Sequence, residues 1–180
     1  MKKFILLDRD GVINQDSDEF IKSPAEWLPI EKSLEAIALL NQHDYKVVVI
    51  TNQSGLARGY FNKKTLNSIH AKMRDEAAKV GGAIEAIYFC PHQSHDECKC
   101  RKPKAGLLQQ FAADYYVDLS HIYFIGDSLR DIQASQNAGT ISILVKTGNG
   151  TKTLQDNPEF STSLLIFNNL YDAAEFIINR

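Results

Sequence analysis

The chain alternates short apolar runs with stretches of helical periodicity from end to end, and that rhythm leaves few folds open to it. The runs are Phe4–Leu7, Lys46–Ile50, Ala86–Phe89, Ile122–Ile125, Ile141–Val145 and Leu164–Phe167. Their length suits strands covered on both faces, which read as nearly continuous apolar segments. Between them the pattern predicts helices over Glu31–Gln42, Lys63–Lys79, Ala105–Tyr116, Leu129–Asn137 and Tyr171–Ile178. The second of these carries Leu66, Ile69, Met73 and Ala77 at helical spacing. Gly81-Gly82 and Gly139 read as helix stops. Strands alternating with helices imply an α/β fold: a three-layer, doubly wound parallel sheet with right-handed crossovers. At 180 residues, with no internal repeat, low-complexity tract or linker, residues 1–180 are expected to form a single domain.

Composition removes several classes of function. A net charge of −2 offers no electrostatic case for nucleic acid or for an anionic membrane. No segment approaches the roughly 20 apolar residues of a membrane span. The N-terminus enters a strand pattern directly, without a signal peptide, so a cytoplasmic location is expected. All three cysteines lie between positions 90 and 100. An odd, clustered count fits a metal site in a reducing compartment better than a disulfide framework.

In doubly wound sheets, ligands bind beyond the carboxyl ends of the strands. Here those ends carry chemistry. Phe4–Leu7 runs into Asp8-Arg9-Asp10-Gly11-Val12, and the strand's pleat would point both aspartates to one side. Two anions held together are unfavourable unless a cation or a proton lies between them. A divalent ion plus an attacking carboxylate meets that condition, and phosphoryl transfer uses both. Lys46–Ile50 ends in Thr51-Asn52-Gln53-Ser54-Gly55, and Ile122–Ile125 ends in Gly126-Asp127-Ser128-Leu129-Arg130-Asp131. Each alone is an ordinary strand-to-helix turn with a helix cap. Their agreement with the opening Asp-x-Asp is hard to explain as turn chemistry.

With Lys102 standing ahead of a predicted helix, this ordered set resembles the haloacid dehalogenase-type (HAD) phosphatases, a Rossmann-like fold. Cys90-Pro91-His92 through Cys98-Lys99-Cys100-Arg101-Lys102-Pro103, together with Asn52-Gln53-Ser54-Gly55-Leu56-Ala57-Arg58-Gly59-Tyr60, is similar to the zinc-loop group of that superfamily that acts on heptose bisphosphates. The histidinol-phosphate phosphatases share the loop and are the runner-up; the Ala-Arg-Gly-Tyr stretch favours the heptose group. The chain has no long insertion able to form a large cap domain. Two positions depart from the group's pattern. Lys104-Ala105-Gly106 lacks a proline that often follows Arg-Lys-Pro, and Ser128 stands where some members place a lysine near substrate.

The resemblance implies a nucleophile at Asp8 and a general acid–base at Asp10. Thr51 and Asn52 would donate to the transferring phosphoryl oxygens, and Lys102 would place a charge on the same group. Mg²⁺ would be held by Asp8, the backbone carbonyl of Asp10, and Asp127. Asp131 would orient Lys102 or the metal's waters, or serve only as a first-turn helix acid. Cys90, His92, Cys98 and Cys100 match a closed, tetrahedral, structural Zn²⁺ site, with His95 as the competing ligand. That loop would present Arg101 and Lys102. Asp16, Ser17, Asp18 and Glu19, with Gln53, Ser54, Arg58 and Arg101, are the expected substrate contacts. Trp27 and Tyr60 are candidates to pack on a sugar face, with an ordinary core role the favoured reading for Trp27. The implied reaction is hydrolysis of the primary phosphate of a small sugar bisphosphate, in the synthesis of nucleotide-heptose precursors of envelope polysaccharides, by a monomer. A non-catalytic zinc-stabilised binding module is the remaining reading, and a phosphate-release assay separates it.

Overall fold

The protein is described by a computed structural model covering residues 2–180. Six parallel strands form one sheet: β1 (Lys3–Leu7), β2 (Tyr45–Asn52), β3 (Ile84–Cys90), β4 (Tyr123–Gly126), β5 (Ile141–Val145) and β6 (Leu165–Phe167), in the order β3-β2-β1-β4-β5-β6. The helices are α1 (Ser33–Gln42), α2 (Lys63–Lys79), α3 (Gly106–Tyr115), α4 (Leu129–Ala138), α5 (Gly150–Asp156), α6 (Phe160–Ser163) and α7 (Leu170–Ile178). The three-layer doubly wound sheet expected from the alternation is the fold observed. No insertion large enough to be a cap interrupts it.

The pleat explains the two cores. Ile5 and Leu7 of β1, with Val47 and Val49 of β2, face α1, α2 and α7. Phe4 and Leu6, with Val48 and Ile50, face the opposite layer, where Phe111 of α3 and Ala134 of α4 pack. Burial on both faces is why these strands lack polar alternation. Trp27 is fully buried in the first core, as its core reading required.

Several boundaries shift for local reasons. Lys32 has φ of 61°, outside the right-handed region, so α1 begins at Ser33 rather than Glu31. Tyr116, at φ 54°, ends α3 one residue early. Ile122 closes a 3₁₀ turn over Leu119–His121 instead of opening β4. The short helices α5 and α6 have no counterpart in the sequence reading. Gly-Thr-Lys-Thr-Leu-Gln-Asp and Phe-Ser-Thr-Ser are rich in poor helix formers and too short to show a period. Gly81 (φ 83°) follows α2 and Gly139 (φ 79°) caps α4, as the stop signals indicate.

Strand order reverses between β1 and β4, with β2 and β3 to one side and β5 and β6 to the other. The Asp8 amide donates to the Ile125 carbonyl at 2.9 Å, so pairing continues one residue past β1. Asp8 and Asp127 therefore emerge side by side at the crevice where this architecture binds ligands.

Candidate active site

At that crevice lies a cavity of about 520 Å³. Asp8, Asp127 and Asp131 each offer a carboxylate oxygen, all within 4.8 Å of one another. Lys102, only 2% exposed, reaches into this group. Its Nζ lies 2.9 Å from Asp8 Oδ1 and 2.7 Å from Asp131 Oδ1, and donates to the Ile50 carbonyl at 2.9 Å. Burial alone would lower the lysine's pKa; the Asp131 and Asp8 charges outweigh it and raise it. Burial likewise pushes Asp131 up, but Lys102 and the Ser128 hydrogen bonds reverse this and hold it low. The two groups form a buried ion pair at neutral pH. Asp131 Oδ2 also accepts from the Ser128 N–H at 3.0 Å and the Ser128 hydroxyl at 2.7 Å. Both roles weighed for Asp131 thus coexist in one side chain: it orients Lys102, and it caps α4.

One ammonium does not balance three carboxylates. Burial, then the Asp131 charge, push Asp8 up to about 7. Burial, then Asp131 and Asp8, push Asp127 up to about 8. The chain otherwise crowds this cluster on purpose-built backbone. A Cβ on Gly11 (φ 80°) or Gly148 (φ 54°) would overlap the Asp127 carboxylate. The Asn149 N–H donates to Asp127 Oδ2 at 2.7 Å, and the Thr153 hydroxyl to the Asp127 carbonyl at 2.9 Å. A compact, oxygen-only cluster carrying an excess of negative charge fits a hard divalent cation such as Mg²⁺.

Asp10 also lines the cavity, though not through the pleat. β1 ends at Leu7, and residues 9–14 turn back on themselves, with Ile13 N–H on the Arg9 carbonyl and Gly11 N–H on the Asn14 carbonyl. The Asp10 carboxylate is not part of the three-acid cluster. It accepts from Arg9 Nε and Nη2, both at 3.0 Å, from Asn14 Nδ2 at 2.9 Å and from Gln53 Nε2 at 2.9 Å. Gln53 Nε2 also donates to the Thr51 hydroxyl at 3.0 Å. Arg9 Nη1 donates to His70 Nε2 at 3.3 Å. Burial, then Arg9's charge, push His70 down to about 3, so it is a neutral acceptor. Neither Arg9 nor His70 was singled out from sequence.

Two of the expected substrate contacts have partners within the protein. Asn52 lines the cavity, but its carboxamide is spent on Lys102: Nδ2 donates to the Lys102 carbonyl and Oδ1 accepts the Lys102 N–H, each at 3.1 Å. It therefore holds the lysine's backbone in place. Glu19 lies outside the main cavity, on a shallow neighbouring depression, exposed and 3.7 Å from Lys22. An acid at a loop tip minimises its solvation cost by facing water. Asp16, Ser17, Asp18, Gln53, Ser54, Arg58 and Arg101 all line the cavity. Tyr60 is half exposed and packs on Phe20 at 5.1 Å between ring centroids.

Arg58, Arg101 and Arg130 group on the lining of the same cavity, which Asp16, Asp18 and Asp156 also share. Arg101 Nη1 donates to the His92 carbonyl at 3.0 Å. Burial, then the positive charges of Arg130 and, more weakly, Arg58, lower the Arg101 guanidinium's pKa. Arg130 and Lys152 join the lining and were missed. A signal existed for Arg130. A cation in the first turn of α4 opposes the helix dipole. Lys152 lies on α5, which itself escaped the reading.

Cys90, His92, Cys98 and Cys100 converge within 4.8 Å. Their separations include 3.8 Å from Cys90 Sγ to Cys98 Sγ, 3.2 Å from His92 Nδ1 to Cys100 Sγ and 3.0 Å from Cys100 Sγ to Cys90 Sγ. Tetrahedral ligands at zinc distances stand about 3.5–3.8 Å apart, so the set is near the spacing the metal requires. His95, exposed and facing Asp96, is not part of it.

The sheet order, the acids after β1 and β4 and the buried lysine together define a HAD-type hydrolase. Residues 99–173 match the HAD-hydrolase-like family model. D-glycero-β-D-manno-heptose-1,7-bisphosphate 7-phosphatase of Bordetella bronchiseptica is 56% identical over 152 residues, covering 84% of this chain and 85% of the relative. The enzymes of the same name from Pseudomonas aeruginosa (47%, 98% of each chain) and Neisseria meningitidis serogroup A (46%, 99% of this chain and 96% of the relative) match over nearly their full lengths. The crystal structure of the B. bronchiseptica D,D-heptose 1,7-bisphosphate phosphatase, complexed with magnesium and phosphate, superposes with a TM-score of 0.95 at 50% identity, covering 98% of both chains. The chain belongs to the D-glycero-D-manno-heptose-1,7-bisphosphate 7-phosphatase family.

The neutral His70 makes stability depend on acid. Its folded pKa lies below the unfolded value of 6.5, so the unfolded chain binds the extra proton and stability falls as pH drops below about 6.5. Replacing it by glutamine, which still accepts from Arg9, should flatten the loss between pH 6 and pH 4 by a few kcal/mol. Denaturant midpoints of both proteins across that range are the check; parallel curves would contradict the assignment.

Proposed function

We propose that the chain is a Mg²⁺-dependent phosphatase that removes the C7 phosphate of D-glycero-D-manno-heptose 1,7-bisphosphate through an aspartyl-phosphate on Asp8, in nucleotide-heptose precursor synthesis. The observation that carries the reading is the division of one cavity into an acidic end, with Asp8, Asp127 and Asp131 around Lys102, and a basic wall of Arg58, Arg101 and Arg130. One phosphate meets each end. Residues 1–180 act as one domain in this reading, and no helix among the described residues is long and apolar enough to cross a membrane.

Asp8 Oδ1 is held by the Arg9 N–H at 2.7 Å and by Lys102. Oδ2 takes no hydrogen bond from the described residues, which leaves its lone pairs for phosphorus. Lys102 and the Thr51 hydroxyl meet the phosphoryl oxygens as their charge grows, where donors fixed in advance act most strongly. Asp10 gives a proton to the departing alkoxide, then takes one from the water that cleaves the aspartyl-phosphate. Asp8, the Asp10 carbonyl and Asp127 would hold Mg²⁺, which screens the repulsion between nucleophile and dianion when bound. Cys90, His92, Cys98 and Cys100 would hold Zn²⁺ with no open position, which stiffens the loop leading into Arg101 and Lys102.

Histidinol phosphate would bring an ammonium and an imidazole to the arginine wall. Like charges about 4–6 Å apart cost on the order of 3 kcal/mol at an effective dielectric near 20. The bisphosphate is favoured on that ground.

Asp8→Asn, nearly isosteric but unable to attack, should leave the fold intact and lower kcat on the heptose bisphosphate by more than about 10³-fold. Phosphate release within tenfold of wild type would reject the nucleophile.

Freshly purified protein should hold one zinc per chain by elemental analysis. Cys98→Ser should lower the unfolding midpoint while the folded fraction keeps its kcat. Metal-free protein as isolated would contradict the cluster's role.

Arg101→Ala should raise KM for the bisphosphate by about 100-fold and KM for a sugar monophosphate by less than about threefold. Equal losses on the two substrates would put Arg101 at the reacting phosphate instead.

A further inference from the structure

Between the two aspartates of the opening motif stands an arginine that the chemistry above leaves unused. Arg9 is fully buried and does not line the cavity, so it touches no substrate. Its Nε and Nη2 grip the two oxygens of Asp10 as a fork, both at 3.0 Å. Nη2 also donates to Gln53 Oε1 at 3.2 Å, and Gln53 Nε2 returns to Asp10 Oδ2 at 2.9 Å, which closes a ring of three side chains. Behind the ring, His70 on α2 accepts from Nη1. Charge balance alone does not require this arrangement. Asp10 is partly exposed, and an arginine at the surface would neutralise it without the cost of burial. What the buried fork adds is a fixed plane for the carboxylate.

We propose that Arg9 is a positioning residue for proton transfer: it sets the Asp10 carboxyl group against the leaving oxygen of the substrate, and His70 sets Arg9. This rests on Asp10 being the general acid–base of the proposed reaction. As the Asp8 oxygen bonds to phosphorus, the P–O bond to the alkyl group breaks and its electron pair stays on the alkyl oxygen. The proton of the Asp10 carboxyl group moves to that oxygen. In the second half, water attacks phosphorus, the bond to Asp8 breaks, and Asp10 takes the water's proton. Both transfers depend on where the carboxyl group points, and a displacement of about 1 Å costs on the order of 100-fold. An aryl leaving group such as 4-nitrophenolate departs without a proton, so its first release escapes that dependence.

The test uses the full chain with Mg²⁺ and rapid-mixing kinetics of Arg9→Lys, Arg9→Met and Asp10→Asn. Arg9→Lys keeps the charge and loses the fork, so it serves if Arg9→Met does not fold. The expected result for Arg9→Lys is a first-turnover rate on the heptose bisphosphate lowered about 30- to 100-fold, with KM within about threefold of wild type. The first turnover of 4-nitrophenyl phosphate should stay within about threefold, followed by slow steady-state turnover as the aspartyl-phosphate waits for its base. Equal losses on the two substrates, a loss confined to KM, or wild-type rates in Arg9→Lys would each overturn the positioning role. Asp10→Asn is the reference. If it too loses both substrates equally, the fault lies in the assignment of Asp10, and the role of Arg9 falls with it.

Discussion

The ammonium of Lys102 ties three parts of the chain together at one point at this end of the sheet. It meets Asp8 beyond β1, the Ile50 carbonyl in β2 and Asp131 in the first turn of α4. Its own backbone is gripped by Asn52. The lysine arrives on the loop that carries Cys98 and Cys100, two residues after the second of them. The loop packs closely up to Gly106, where a Cβ would overlap the Lys99 carbonyl as α3 begins. Removing one partner of a buried ion pair costs about 3–5 kcal/mol, because the other charge is left without compensation. Fold and chemistry share this contact, and neither can be altered alone.

Three acids around one lysine are a poor arrangement for stability. Burial and mutual repulsion drive Asp8 and Asp127 well above the usual carboxylate range. Each such group favours the unfolded chain at neutral pH. The sheet tolerates the strain because both of its faces are sealed by continuous cores. Gly11 and Gly148 close in on Asp127 where any side chain would push it away. Folding energy gathered over the whole sheet is concentrated here into a cluster whose excess negative charge a divalent cation would offset.

The features legible in the sequence are those written as periods or as clustered chemical types. All six strands and five of the seven helices announce themselves through apolar rhythm, because each buries a face. Asp8, Thr51, Lys102 and Asp127 stand at strand ends or before a helix, where this topology places ligands. What escaped has a different origin. α5 buries too little to show a period, and it took Lys152 with it. His70 sits among Leu66, Ile69 and Met73 on the buried face of α2, and nothing in that spacing says that its partner is an arginine 61 positions away. The Asn52 carboxamide turns to a backbone 50 positions on, which nothing in its own motif foretells. Partnerships across the fold leave no local trace in sequence.

With no cap to enclose the substrate, selectivity has to come from the cavity's own charges. The acidic end and the arginine wall are each unfavourable when free, one for excess negative charge and the other for excess positive. Arg101 shows this directly, since burial and its neighbours Arg130 and Arg58 all oppose its proton. One departure from the family pattern bears on the same wall. Ser128 has no charge to offer and is occupied with Asp131, but Arg130 two residues later lines the cavity. The cation missing from one position of the α4 turn is restored at another, with a fork that can hold a phosphate by two bonds. In the proposed reaction a divalent metal would offset the acidic end, and the substrate's second phosphate would offset the arginines. A monophosphate would relieve only one of them. In the proposed reaction, electrostatic strain left in the free protein is what would discriminate between the two.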